Sequence, residues 1–246
     1  MLSTPSGIQF GILGGTKGVP CPAVFSFAWS AQESLSNTDY NQTAQILVKH
    51  GYVCISLDMP CHGADKRKED AAGELAGWPG RLEKDNSLVR DFTTRASAVL
   101  DYLIQEKYVD PKKVGAFGIS RGGFMAYHFA AAESRVACVA GLCPVTDLLA
   151  LTEFSRTKEP ATAQSLALIN HALKLAGRPL WLLIGNSDQR VDTDKAVAFA
   201  RKVTASAVAE HKPADVELHV LGAAGHAQPP HSQDLAAAWL LSKLGN

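Results

Sequence analysis

The stretch "VGAFGISRGGF", residues 114–124, decides the fold. An apolar run ends in Gly118-Ile119-Ser120-Arg121-Gly122, and a helical pattern follows at once. A serine with glycines two positions before and two after it fits a sharp strand-to-helix turn. Such a turn lifts the hydroxyl clear of the backbone, and side chains at the flanking positions would collide with neighbouring chain. The helix that follows points its first N–H groups at the serine, which suits a developing oxyanion. The pattern is short, so a turn serine could mimic it. A nucleophilic serine also needs a base, and the base needs an orienting acid.

Outward from this stretch, short apolar runs alternate with helical patterns. The runs are "IQFGIL", "AVFSFAW", "VCISLDM", "VGAFGIS", "ACVAGLC", "LWLLIG" and "VELHVLG". Most are apolar on both faces, which predicts buried parallel strands. The helical patterns cover 38–50, 88–107, 121–132, 161–176, 192–206 and 233–244. Strict alternation predicts an α/β domain over 1–246, with a mostly parallel central sheet and helices on both faces. Only a short segment precedes "AVFSFAW", so the sheet is expected to be shortened at its N-terminal edge. Two connections break the alternation, residues 61–86 and 147–158, and connections of that length are commonly lids or binding loops. The run "DKRKED" in the first reads as a solvated face. Trp78, between glycines in the same connection, reads as an anchor over a pocket.

Two further strand ends supply partners for Ser120. "LWLLIGNSD" runs off a strand into Asp188, and "VELHVLGAAGH" runs off the last strand into His226. In a parallel sheet the C-terminal strand ends share one edge, so Ser120, Asp188 and His226 can converge. Asp147, after "CPVT", is the rival acid, while Asp192 and Asp194 fit helix caps better. His231 rivals His226 but follows Pro229-Pro230 at the start of the final helix. The adjacent Cys61-His62 pair reads as a packed turn rather than a thiol nucleophile, because neighbours in sequence seldom present both side chains to one point. No metal-ligand spacing, P-loop or GxGxxG is present, so no cofactor is expected.

Composition bounds the partners. The 246 residues are 46% hydrophobic and 20% charged, with 24 basic and 24 acidic residues and no net charge. This gives no electrostatic footprint for nucleic acid or an anionic membrane. The five cysteines include no CxxC pair, and the start lacks the basic and apolar regions of a signal peptide; the expected location is the cytoplasm. Oligomeric state is not legible.

"GISRGG", "GNSD" and "GAAGH", in that order, resemble the α/β-hydrolase superfamily, nearer its dienelactone-hydrolase-like and serine-peptidase-like esterases than its large-capped lipases. "HGYVCISLDMPCHG", residues 50–63, adds to the resemblance, with Cys61 where the superfamily usually has glycine. The resemblance implies acyl transfer. Ser120 attacks an acyl carbon, His226 takes its proton, and Asp188 holds the imidazole. The N–H of Arg121 holds the oxyanion, and water then releases the acyl group. Family members commonly carry a His-Gly pair where this chain has Ala28-Trp29-Ser30. The second oxyanion donor is therefore expected at the N–H of Trp29, with Ala28 next. Trp29, Trp78 and Phe154 are the expected pocket walls. The side chain of Arg121 is expected to pair with a neighbouring acid or lie along the helix, the alternative being a substrate carboxylate. The expected substrate is a small carboxylic ester, thioester or lactone. A peptide or amide is the rival, and a non-catalytic ligand receptor is the reading from another class.

Overall fold

The computed structural model describes residues 1–70 and 73–245. Its strands are β1 (Leu2–Ser3), β2 (Gln9–Leu13), β3 (Cys21–Phe27), β4 (Val53–Ser56), β5 (Val109–Ile119), β6 (Val136–Leu142), β7 (Leu180–Gly185) and β8 (Val216–Leu221). They form one sheet in the order β1-β2-β4-β3-β5-β6-β7-β8. Pairing is parallel from β4 across to β8, while β2 runs antiparallel to both β1 and β4. The shortened N-terminal edge takes the form of a two-residue strand rather than a missing one.

Period-two alternation between two covered faces explains why most of the runs are apolar throughout. Ala23, Phe25 and Phe27 of β3 enter one core layer, and Val24 enters the other. On β7, Leu180, Leu182 and Ile184 face the first layer, and Trp181 and Leu183 the second. The second layer is covered by α1 (Ala31–Ser36), α2 (Gln42–Lys49) and α9 (Ser232–Leu244), through Leu35, Leu47, Trp239 and Leu240. The first is covered by α4 (Leu88–Gln105), α5 (Arg121–Ala132) and α8 (Thr193–Ala209), through Phe92, Phe129 and Phe199.

Several expected elements come out differently. The helix expected over 38–50 begins at Gln42, because Asn37 turns the chain through a side-chain bond to the N–H of Asp39. Helix α1 was not anticipated, although Ser30 caps its start by accepting from the N–H of Glu33, whose carboxylate accepts from the Ser30 hydroxyl. The helix expected over 161–176 is broken into α6 (Pro160–Ser165), a 3-10 turn (Leu168–His171) and α7 (Ala172–Leu175). There Asn170 and His171 donate side-chain bonds to the carbonyls of Gln164 and Ser165, which terminates α6. The connection over 61–86 contains α3 (Trp78–Asp85), and Leu75, Trp78, Arg81 and Leu82 within it are buried. The connection over 147–158 folds as two 3-10 turns that bury Leu148, Leu151 and Phe154.

The chain leaves β3 toward the β4 edge and leaves β5 toward the β6 edge. This reversal opens a crevice at the C-terminal ends of β3 and β5, where an open α/β sheet binds its ligands.

Candidate active site

Ser120 sits between β5 and α5 with φ 54° and ψ −117°, a strained conformation for a residue with a side chain. The flanking glycines are a steric requirement. A Cβ on Gly118 would lie 2.1 Å from the carbonyl oxygen of Gly122, and one on Gly122 would lie 1.9 Å from that of Phe27. A Cβ on Gly123 would meet Pro144 at 2.6 Å. The turn is therefore clamped between β3, α5 and the chain leaving β6.

His226 reaches Ser120 across the sheet edge. Its Nε2 lies 2.9 Å from Ser120 Oγ, and its Nδ1 lies 2.7 Å from Asp188 Oδ2. The carboxylate accepts, so Nδ1 carries the proton and Nε2 is left to accept from the serine hydroxyl. Asp188 is buried, and its other oxygen accepts from the N–H groups of Arg190 and Val191 at 3.0 and 3.2 Å. The loop carrying His226 is tied down where Cys143 Sγ donates to the carbonyl of Ala227. Burial pushes the Cys143 thiol up to about 12, so it stays protonated.

The rivals are elsewhere. Asp147 pairs with Lys195 at 2.5 Å and caps the turn at Leu149. His231 is exposed and bonds Asp234. Asp192 caps α8, as its position suggested. The Cys61 thiol is buried and pushed up to about 12, which leaves no thiolate for a thiol–imidazole pair. Cys61 itself has φ 65°, the left-handed region, which explains why glycine suits this position.

Of the expected oxyanion donors, the Arg121 N–H starts α5 with no acceptor among the described residues. The Trp29 N–H is already committed. Trp29 and Ala28 both donate to the buried hydroxyl of Ser34, at 2.9 and 3.1 Å. That assignment is corrected: Ser34, five residues on in the unanticipated helix α1, takes the donor.

A cleft of about 230 Å³ opens over Ser120, lined by Trp29, Tyr40, Leu75, Arg121, Arg190 and His226 among others. Trp78 and Phe154, expected as its walls, are not among the residues that line it; both are core residues. The Trp78 indole N–H donates to the carbonyl of Pro60 at 2.8 Å, and its ring lies against Phe124. Leu75 and Tyr40 were missed, and nothing local in the sequence distinguishes them. Arg121 also departs from expectation. Among the described residues no carboxylate lies within 4.0 Å of it. Its guanidinium stacks on Trp29 at 3.9 Å, and Nη1 donates to His62 Nε2 at 3.0 Å.

Comparison with known proteins places the fold and the family. The chain is 25% identical over 228 residues to the putative hydrolase YtaP of Bacillus subtilis, covering 86% of this chain and 74% of the relative. A cold-adapted esterase from an Arctic intertidal metagenomic library superposes with TM-score 0.68 at 18% identity, covering 96% of this chain and 88% of that one. The acylaminoacyl peptidase of Pyrococcus horikoshii superposes with TM-score 0.72 at 17% identity, covering 99% of this chain and 40% of the peptidase. These likenesses establish the α/β-hydrolase fold. Residues 38–246, a span that includes Ser120, Asp188 and His226, match a single family description. The chain is a serine hydrolase by descent and belongs to the prolyl oligopeptidase family.

Proposed function

We propose that the protein hydrolyses a small carboxylic ester through an acyl-enzyme on Ser120. The carrying observation is the continuous hydrogen-bonded chain Ser120–His226–Asp188, at 2.9 and 2.7 Å. His226 Nε2 takes the serine proton as Oγ attacks the acyl carbon. Asp188 keeps the imidazole in the Nδ1–H tautomer and stabilises its cation. The N–H of Arg121 faces the developing oxyanion, and the same histidine then activates water against the acyl-enzyme. Trp29 N–H would join only by leaving Ser34.

Two features favour a small ester over a peptide with a free amino end. The cleft is small, about 230 Å³, against the roughly 300–1,000 Å³ of sites for drug-sized ligands. Its described lining includes no carboxylate to hold an ammonium group. The five free cysteines fit a reducing location such as the cytoplasm. The test is a panel of acyl esters of increasing chain length against aminoacyl amides. Turnover of short acyl esters with little amide cleavage is expected. Efficient amide cleavage with no ester preference would make the protein a peptidase.

A further inference from the structure

Arg121 is the least explained charge near the nucleophile. It follows Ser120 directly, lines the cleft and is half-buried, yet has no carboxylate partner among the described residues. It is held in place nonetheless. Trp29 supports one face of the guanidinium, and Tyr40 stacks parallel to Trp29. His62 accepts from Nη1. His62 is itself fixed: its Nδ1–H donates to the carbonyl of Pro60 at 2.8 Å, and that carbonyl also accepts from Trp78. Burial pushes His62 down to about 4, so at neutral pH it stays an uncharged acceptor for the arginine.

This bracing uses one nitrogen only. Among the described residues, Nε–H and Nη2–H of Arg121 donate to no protein acceptor. Those two groups form the edge of a guanidinium that grips a carboxylate with two parallel hydrogen bonds. Arg190 lines the same cleft. Glu153 holds its Nη2 at 2.6 Å, but its Nη1 is buried with no partner among the described residues. The cleft thus presents two guanidinium groups, the free Nε–Nη2 edge of Arg121, and no acid in its described lining. Two half-buried cations near each other are costly unless an anion compensates them. Glu153 meets part of that need at Arg190, and Glu74 and Glu153 act on Arg121 only from beyond 4.0 Å.

We infer that the substrate carries a free carboxylate a few atoms from its scissile acyl group, gripped by the Nε–Nη2 edge of Arg121 and assisted by Arg190. The inference rests on the serine hydrolase reading above and names the class of ester. The carboxylate could belong to the acyl half, as in a dicarboxylic acid monoester, or to the leaving half, as in an ester of a hydroxy acid. Both present the same group to the same arginines. Trp29, His62 and Trp78 act as positioning residues for the arginine.

The test uses two matched substrate pairs. One is the monoethyl ester of glutaric acid and its neutral counterpart, in which the free carboxylate is a carboxamide. The other is butanoyl glycolate and butanoyl glycolamide. Within each enzyme the readout is the ratio of kcat/KM, charged over neutral, so general damage to the site cancels. The wild type should favour the charged member of at least one pair by about tenfold or more, and Arg121→Gln and Arg190→Gln should each lower that ratio severalfold or more. A second readout needs no variant: free glutarate should protect wild-type Ser120 from a fluorophosphonate, and inorganic phosphate should protect less. Ratios at or below one in both wild-type pairs would overturn the inference while leaving the hydrolase reading intact. A ratio unchanged in both variants, or protection by phosphate alone, would also overturn it. Absence of both labelling and turnover of all four esters would instead remove the hydrolase reading on which it rests.

Discussion

Gly122 shows how tightly the turn at Ser120 is built. A methyl group there would lie 1.9 Å from a backbone oxygen of β3, which no side-chain movement can relieve. Gly122→Ala should therefore lose more than about 3 kcal/mol, measured by chemical denaturation. Asp188 and Asp147 provide a sharper contrast. Both follow strands, but only Asp188 touches His226. Asp188→Asn should lower kcat by about 10⁴-fold, because the amide no longer holds the Nδ1–H tautomer. Asp147→Asn should leave kcat near wild type while weakening the bond to Lys195. A reversed ranking in ester turnover would assign the acid to Asp147. The three-residue constellation was legible in the sequence because each member lies in the loop just past the C-terminal end of a parallel strand. The partners of Arg121 were not legible: His62 is distant along the chain, and only tertiary packing sets it against the guanidinium.

Among the elements, strands were easier to anticipate than connections. Buried strands advertise themselves by apolar runs, whereas an aromatic in a polar connection has two readings. Trp78 reads as an anchor over a pocket and Phe154 as a pocket wall in sequence, but both are core residues, because α3 and the turns after β6 pack onto the sheet. The continuous helix expected over 161–176 failed for a related reason: Asn170 and His171 offer the carbonyls at the end of α6 an alternative to further helix. Helix α1 has the largest consequence for the site. Its fully buried Ser34 accepts from two backbone N–H groups at the mouth of the cleft. Ser34→Ala strands both donors and should cost about 1–3 kcal/mol, read from denaturant midpoints. A midpoint equal to wild type would mean that the β3–α1 turn is held by other contacts.

For the molecule as a whole, acid stability follows from its buried imidazoles. Burial pushes His62 down to about 4 and His128 to about 3. The unfolded chain, with ordinary imidazoles near 6.5, binds more protons than the folded one between that value and 3–4. Stability is therefore present above about 6.5 and lost as pH falls through this window. Glu133, pushed down to about 2 chiefly by its hydrogen bonds with Arg135, adds a loss of the same sign at lower pH. The melting temperature should fall steadily from pH 7 to pH 4. His128→Gln, which keeps a donor for the carbonyl of Leu166, should flatten that fall. Equal slopes for the two proteins would show that His128 titrates normally. Among the described residues no helix is long and apolar enough to cross a membrane.

The whole reading turns on Ser120 as the reacting group, and intact-mass measurement after treatment with a fluorophosphonate tests it directly. A single adduct on the wild type, mapped by peptide sequencing to Ser120, lost in Ser120→Ala and slowed in His226→Ala, is the predicted result. An unlabelled wild type, or an adduct that persists in Ser120→Ala, would contradict it.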